Sequence, residues 1–169
     1  MSDSILVAYA TRYGSTQEVA EAVAETLRDN GLEVEVQPMR EVRTLEGYGA
    51  VVVGAALYMY RWHKDARRFL SRHRKALVEL PVAIFALGPV KDPYDEEEWR
   101  NSRDQLDKEL AKHTWLKPVD VEILGGRFDP ELLRFPLNLF AGSDPASDIR
   151  DWTAIRAWAG DLAAKLGPA

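Results

Sequence analysis

The run Ile5-Leu-Val-Ala-Tyr-Ala-Thr-Arg-Tyr-Gly-Ser-Thr16 constrains this chain more than any other stretch. A short apolar segment ends in a turn rich in hydroxyls and glycine, and an amphipathic helical pattern from Gln17 to Asn30 follows at once. The spacing predicts a strand, a tight loop and the N-terminus of a helix. Unpaired backbone N–H groups and the positive end of the helix dipole meet at such a point, which suits a phosphate. Thr11, Ser15 and Thr16 can add hydroxyl donors. No Lys follows the glycine, so the loop is not that of a nucleoside triphosphatase, and the G-x-G-x-x-G dinucleotide pattern is absent. The guest that remains is a phosphate monoester such as that of FMN.

The same strand-then-helix pattern repeats along the chain, which predicts an α/β architecture with a parallel sheet. Strands are expected at about 4–10, 32–37, 50–56, 81–87 and 119–124. Leu32–Gln37 alternates apolar and polar residues and reads as an edge strand, whereas Ala50–Ala56 is apolar throughout and reads as central. Helices are expected at about 15–30, 62–80, 95–112 and from Trp152 onward. In the first, Val19, Ala20, Val23, Ala24 and Leu27 share a face, Ser15 and Glu18 have capping-box spacing, and Asn30-Gly31 ends the pattern. In the second, Trp62, Ala66, Phe69, Leu70, His73 and Leu77 form the buried stripe. Asp95–Glu98 gives the third an acidic first turn, favourable to its dipole.

With 169 residues, 46% of them hydrophobic, the expectation is one domain spanning 1–169 with a sizeable core. The net charge of −5 argues against broad nucleic-acid binding. The chain has no Cys, which excludes disulfides, thiolate metal sites and cysteine nucleophiles. The three histidines, His63, His73 and His113, lack metal-ligand spacing. No apolar run reaches the roughly 18 residues a membrane-spanning helix needs, and Met1–Ser4 does not read as a signal region, so a cytoplasmic location is expected, with peripheral contact at a membrane face left open.

In an open α/β sheet the ligand sits beyond the carboxyl ends of the strands. Three loops should converge there: Thr11–Thr16, Leu57–Trp62 and Gly88–Tyr94. The second carries Tyr58, Tyr60 and Trp62 within five residues, and the third combines Gly88 and Pro89 with Tyr94 and polar groups. Trp62 fits the core stripe; Tyr58, ahead of Tyr60, is the better candidate for stacking on a ring.

Four blocks resemble the flavodoxin-like superfamily, and more closely its menaquinone-dependent protoporphyrinogen dehydrogenase branch: Tyr9–Thr16, Val53–His63, Ile123–Phe128 and Asp151-Trp152. The resemblance implies a doubly wound, five-stranded parallel sheet of order 2-1-3-4-5 with FMN as cofactor. It places Thr11, Arg12, Tyr13, Gly14, Ser15 and Thr16 around the phosphate. Ala55, Ala56, Leu57 and Tyr58 then line one side of the ring, and Gly88, Pro89 and Val90 the other. It implies an oxidoreductase or electron-transfer protein working with a redox partner protein or a quinone, protoporphyrinogen being one possible donor. The segment between Arg127 and Trp152 is shorter and less basic than in that branch, where it is implicated in quinone or membrane contact. No side chain presents itself as a catalytic acid or base, and electron or hydride transfer needs none, because the cofactor carries the chemistry.

Two other classes compete. A receiver domain shares the winding but needs acidic residues after strand one, where Tyr9-Ala-Thr11 stands, and a phospho-acceptor Asp after strand three, where Gly54-Ala-Ala56 stands. A cofactor-free interaction module remains open. Two surface features belong to no motif. Arg61, Lys64, Arg67, Arg68, Arg72, Arg74 and Lys75 cluster with only Asp65 among them, either as a solvated face or as a docking patch for an acidic redox partner or an anionic membrane. Glu131–Phe140 is apolar for a loop and is broken by Pro136; packing on its own domain is favoured over a dimer, quinone or membrane contact.

Overall fold

Alternate residues of β1 (Ser4–Ala10) feed two separate cores. Ile5, Val7 and Tyr9 join one buried cluster, and Leu6, Ala8 and Ala10 join the other. This is the period-two side-chain pattern of a strand covered on both faces. The computed structural model describes residues 4–58, 61–132 and 145–167.

The chain continues through α1 (Ser15–Asp29), β2 (Val34–Pro38), a 3-10 turn at Met39–Glu41, β3 (Tyr48–Tyr58), β4 (Arg61–Trp62), α2 (Lys64–Arg72), α3 (Arg74–Glu79) and β5 (Val82–Leu87). Then follow α4 (Glu96–Leu110), β6 (Asp120–Leu124), β7 (Arg127–Phe128), a 3-10 turn at Pro130–Leu132, β8 (Ser147–Asp148) and α5 (Trp152–Leu166). The main sheet runs β2-β1-β3-β5-β6, all parallel, so its five long strands have the expected order 2-1-3-4-5. Residues of α1 and α5 pack on one face of the sheet; those of α2, α3 and α4 pack on the other. No described helix is long and apolar enough to cross a membrane.

Several boundaries differ from the sequence expectation for identifiable reasons. β3 runs on to Tyr58 and folds back through β4, pairing Leu57 with Trp62 and Tyr58 with Arg61. Trp62 is therefore a strand residue and not the first of a long helix. It is still core, 1% exposed, and its indole N–H donates to the Ala55 carbonyl at 3.0 Å. The expected 62–80 helix is two helices separated at His73. Ser15 does not cap α1. That position belongs to Gly14 in the left-handed region (φ 89°), without a side-chain cap. Asp95 and Asp151 do cap, receiving N–H bonds at the starts of α4 and α5. Met59, Tyr60 and most of the apolar Glu131–Phe140 stretch lie outside the described residues.

At Gly54, in the middle of β3, an added Cβ would fall inside the Phe85 ring of β5. The close approach lets a buried phenyl group lie across the central strand. Gly54→Ala should lower unfolding free energy by about 1–3 kcal/mol in urea denaturation, the usual cost of overpacking. Gly54→Ala with Phe85→Leu should recover part of that loss; an equal or larger loss in the double variant would disprove the packing explanation.

Candidate functional site

The three expected loops come together at the carboxyl ends of β1, β3 and β5. In the first, Thr11 Oγ1 accepts the Gly14 N–H at 2.8 Å, closing a tight turn. Gly14 then opens α1, and the Glu18 N–H bonds back to its carbonyl at 3.3 Å. The first-turn amides of Ser15, Thr16 and Gln17 have no helical acceptor by the geometry of any helix start. Thr16 is 0% exposed, and its hydroxyl oxygen has no hydrogen-bond partner among the described residues. A buried hydroxyl without a partner is costly, and this one sits in the first turn of a helix, where the dipole favours an anion.

The second loop adjoins the first through Arg12, whose guanidinium lies 4.7 Å from the centroid of the Tyr58 ring and 5.9 Å from that of Tyr13. The Ala56 carbonyl accepts the His63 N–H at 3.1 Å, and the Ala55 carbonyl is taken by Trp62. Ala55 is wholly buried, so its place is beneath the site; Ala56, Leu57 and Tyr58 are half-buried at its wall. Leu57 also reaches the third loop. A Cβ on Gly88 would stand 3.2 Å from Leu57 Cδ1 and 2.7 Å from Ser102 Oγ of α4. Pro89 is buried, while Gly88 and Val90 are half-buried.

Sequence reasoning missed the groups that hold these loops in place. Arg150 has a side chain only 5% exposed. It donates to the Ser15 carbonyl at 3.2 Å, pairs with Glu18 at 3.2 Å and Asp148 at 2.7 Å, and stacks on Trp152. That guanidinium holds the Asp148 carboxyl below the usual carboxylate range. Glu18, expected to complete a capping box, instead faces Arg150 and Arg127. The β7–β8 ribbon ties the third loop as well: Ser147 Oγ donates to the Val90 carbonyl, and the Gly126 N–H to the Pro89 carbonyl at 2.7 Å. Glu98 accepts the N–H groups of Val90 and Lys91. The second loop is held by Glu109 of α4, whose side chain is 6% exposed and lies within 3.6–3.8 Å of Arg61 and Arg67, with Lys112 at 2.9 Å. The sequence signal was faint: a lone Arg before Asp151-Trp152 and a lone Glu late in a helix.

A cavity of about 640 Å³ lies between the end of the third loop (Lys91, Asp92 and Tyr94), α4, β6 and α5. Trp99, Ile123, Ile155 and Trp158 give it apolar walls, but Glu122, Asp151 and Asp161 also line it. Burial raises the pKa of Glu122, with the nearby Asp120 charge adding to the effect. Those carboxylates would repel a phosphate, so the anion-favouring crevice is the one above β1.

A parallel, doubly wound sheet with a helix N-terminus and two further loops at its carboxyl edge defines an α/β protein of flavodoxin-like fold. The chain belongs to the flavodoxin family: the flavodoxin domain model matches residues 6–136. Protoporphyrinogen IX dehydrogenase [quinone] of Escherichia coli K12 is 28% identical over 87 residues, covering 50% of this chain and 48% of that protein. The chain thus spans about half the length of the curated relatives it matches. An archaeal flavodoxin superposes with a TM-score of 0.58 at 16% identity over 96% of this chain and 98% of its own. Oxidised flavodoxin 1 of Bacillus cereus gives 0.56 at 16%, over 96% and 97%. The rubredoxin oxygen:oxidoreductase of Desulfovibrio gigas gives 0.57 at 17%, over 96% of this chain and 36% of its own.

Two predictions come from this geometry. Thr16→Val keeps the shape and removes the partnerless hydroxyl, so without ligand it should raise unfolding free energy by about 1 kcal/mol; a loss of stability would show that the hydroxyl is satisfied. His63 starts α2 by accepting the Asp65 N–H on Nδ1 at 3.0 Å. Its pKa is lowered chiefly by burial, as are those of His73 and His113. Below about pH 6.5 the unfolded chain therefore binds more protons than the folded one, and stability falls as the pH drops. His63→Asn keeps a capping acceptor and should flatten that slope between about pH 6.5 and 5 in unfolding measurements; an unchanged slope would place the titration elsewhere.

Proposed function

We propose that the chain, as one flavodoxin-like unit over residues 1–169, binds FMN and transfers electrons. The observation that carries this reading is the buried, partnerless hydroxyl of Thr16 at a helix start whose free amides already favour an anion. Thr11, Arg12, Tyr13, Gly14, Ser15 and Thr16 would surround the phosphate. Ala56, Leu57 and Tyr58 would border one side of the ring, with Ala55 supporting them from below, and Gly88, Pro89 and Val90 the other. When bound, the flavin supplies the redox chemistry. The chain orients it: the first-turn amides fix the phosphate end, the Tyr58 ring offers a stacking face worth about 1 kcal/mol, and Leu57 and Pro89 keep water from the crevice.

Membership of the flavodoxin family and the fold shared with flavodoxins support a flavin; the fit of the crevice to a monoester supports FMN. A quinone or a redox protein would be the electron partner. The quinone class draws its support from the E. coli protoporphyrinogen IX dehydrogenase, and protoporphyrinogen as donor rests on that same relative. A cofactor-free module predicts a colourless protein indifferent to FMN. In fluorescence titrations FMN should bind at least about tenfold tighter than riboflavin, a difference of roughly 1.4 kcal/mol attributable to the phosphate. Thr16→Asp should weaken FMN about a hundredfold while changing riboflavin affinity little. Equal losses for both flavins, or no binding of either, would overturn the assignment.

A further inference from the structure

We propose that the notch between the Met39–Glu41 turn and α2 seats a carboxylate from the acidic face of an electron-transfer protein that docks beside the flavin crevice. The partner's role rests on the flavin reading; the anion-binding notch stands independently. The notch has a volume of about 150 Å³, enough for a carboxylate and far too small for a flavin. Arg40, Arg68 and Arg72 line it over an apolar floor of Met39 and Phe69. Asp65 is the one acid among its lining residues; its side chain is 12% exposed and sits 3.5 Å from Arg40. Two of the three guanidinium charges therefore have no counter-charge in the lining, in a protein whose net charge is −5.

His73 supplies a second, independent observation. It lines the same notch, is 8% exposed, and packs its ring 4.6 Å from that of Phe69. Its position on the buried stripe matches the sequence expectation. Nε2 is buried and makes no hydrogen bond within 3.5 Å among the described residues, although the Val42 backbone acts on the ring as a polar neighbour. Arg72 acts on the ring electrostatically, so a carboxylate seated in the notch would offset the positive charge beside it.

The notch shares the positive field of the first loop. Arg12 of the first loop, Arg40 and Lys64 all act electrostatically on His63, which immediately follows β4. The other rim, at the start of α4, carries Asp95, Glu96, Glu97 and Glu98. One basic rim and one acidic rim would fix the orientation of a protein partner of complementary charge. An anionic bilayer fits worse, because the acidic rim repels it. Among the described residues, the exposed large apolar side chains Val78, Tyr94, Val119 and Leu132 lie off α2.

The test is an NMR titration of the full chain, with and without FMN, using hexaglutamate peptide, inorganic phosphate and vesicles of equimolar phosphatidylglycerol and phosphatidylcholine as separate probes. Hexaglutamate should shift the Nε–Hε signals of Arg40, Arg68 and Arg72 and the ring signals of His73 saturably, and bind more weakly as salt rises. Arg68→Glu with Arg72→Glu should reduce peptide affinity about tenfold or more. Arg40→Glu, at a side chain 82% exposed, should reduce it without disturbing the fold. No shift at the notch, affinity within twofold after reversal, preferential vesicle binding, or phosphate displacing the peptide at lower concentration would each overturn the proposal. FMN binding read in the same samples separates the two ideas: its failure removes the flavin reading and leaves the notch result standing.

Discussion

The structure turns on one backbone choice, Gly14 in the left-handed region with its N–H closed onto Thr11. A Cβ there would meet no atom within 4 Å, so space does not demand glycine; the positive φ does. Because the turn is satisfied by Thr11 and no side chain caps α1, the next amides have no helical acceptor and the Thr16 hydroxyl has no partner among the described residues. A capping serine at position 15 would have consumed the group that an anion needs. On the proposed flavin reading, local stability is traded for a binding surface.

The crevice is held from outside by charges that touch no expected ligand. Arg150 and Arg127 join the β7–β8 ribbon to the first turn of α1, and the same ribbon bonds to the Pro89 and Val90 carbonyls. Glu109 ties the β3–β4 hairpin to α4 through Arg61 and Arg67. Each loop thus has an anchor outside itself, on the β7–β8 ribbon or on α4. Such outer contacts let first-contact groups keep a fixed spacing without being buried themselves. The basic cluster on α2 accordingly divides in two. Arg61 and Arg67 face inward to Glu109, whereas Arg68 and Arg72 remain at the surface beside Arg40.

The sheet order and the three converging loops were legible because continuous apolar strands, amphipathic helices and glycine-rich turns each carry a period or a punctuation mark. β1, β3 and β5 are buried on both faces and read as unbroken apolar runs. The β3–β4 pairing was hidden, since Trp62 also fits the helical stripe that follows; the antiparallel pairs and the Trp62 bond to Ala55 show that the chain has doubled back. Ser15 and Glu18 matched a capping box in sequence, but Arg150 lies 132 residues from Glu18 and takes that carboxylate for itself. Ala55 was expected at the wall because neighbours along a strand look alike in sequence, while the pleat sends it into the core. Long-range ion pairs leave no period, so the anchors could not be read in advance.

The most direct measurement is a ¹⁵N–¹H correlation spectrum of the labelled chain titrated with FMN. The account predicts the largest downfield amide shifts at Ser15, Thr16 and Gln17, where the phosphate meets the helix start, with ring-current shifts at Leu57, Tyr58 and Val90. Shifts confined to the cavity between α4 and α5, with the Thr11–Thr16 amides unmoved, would contradict it.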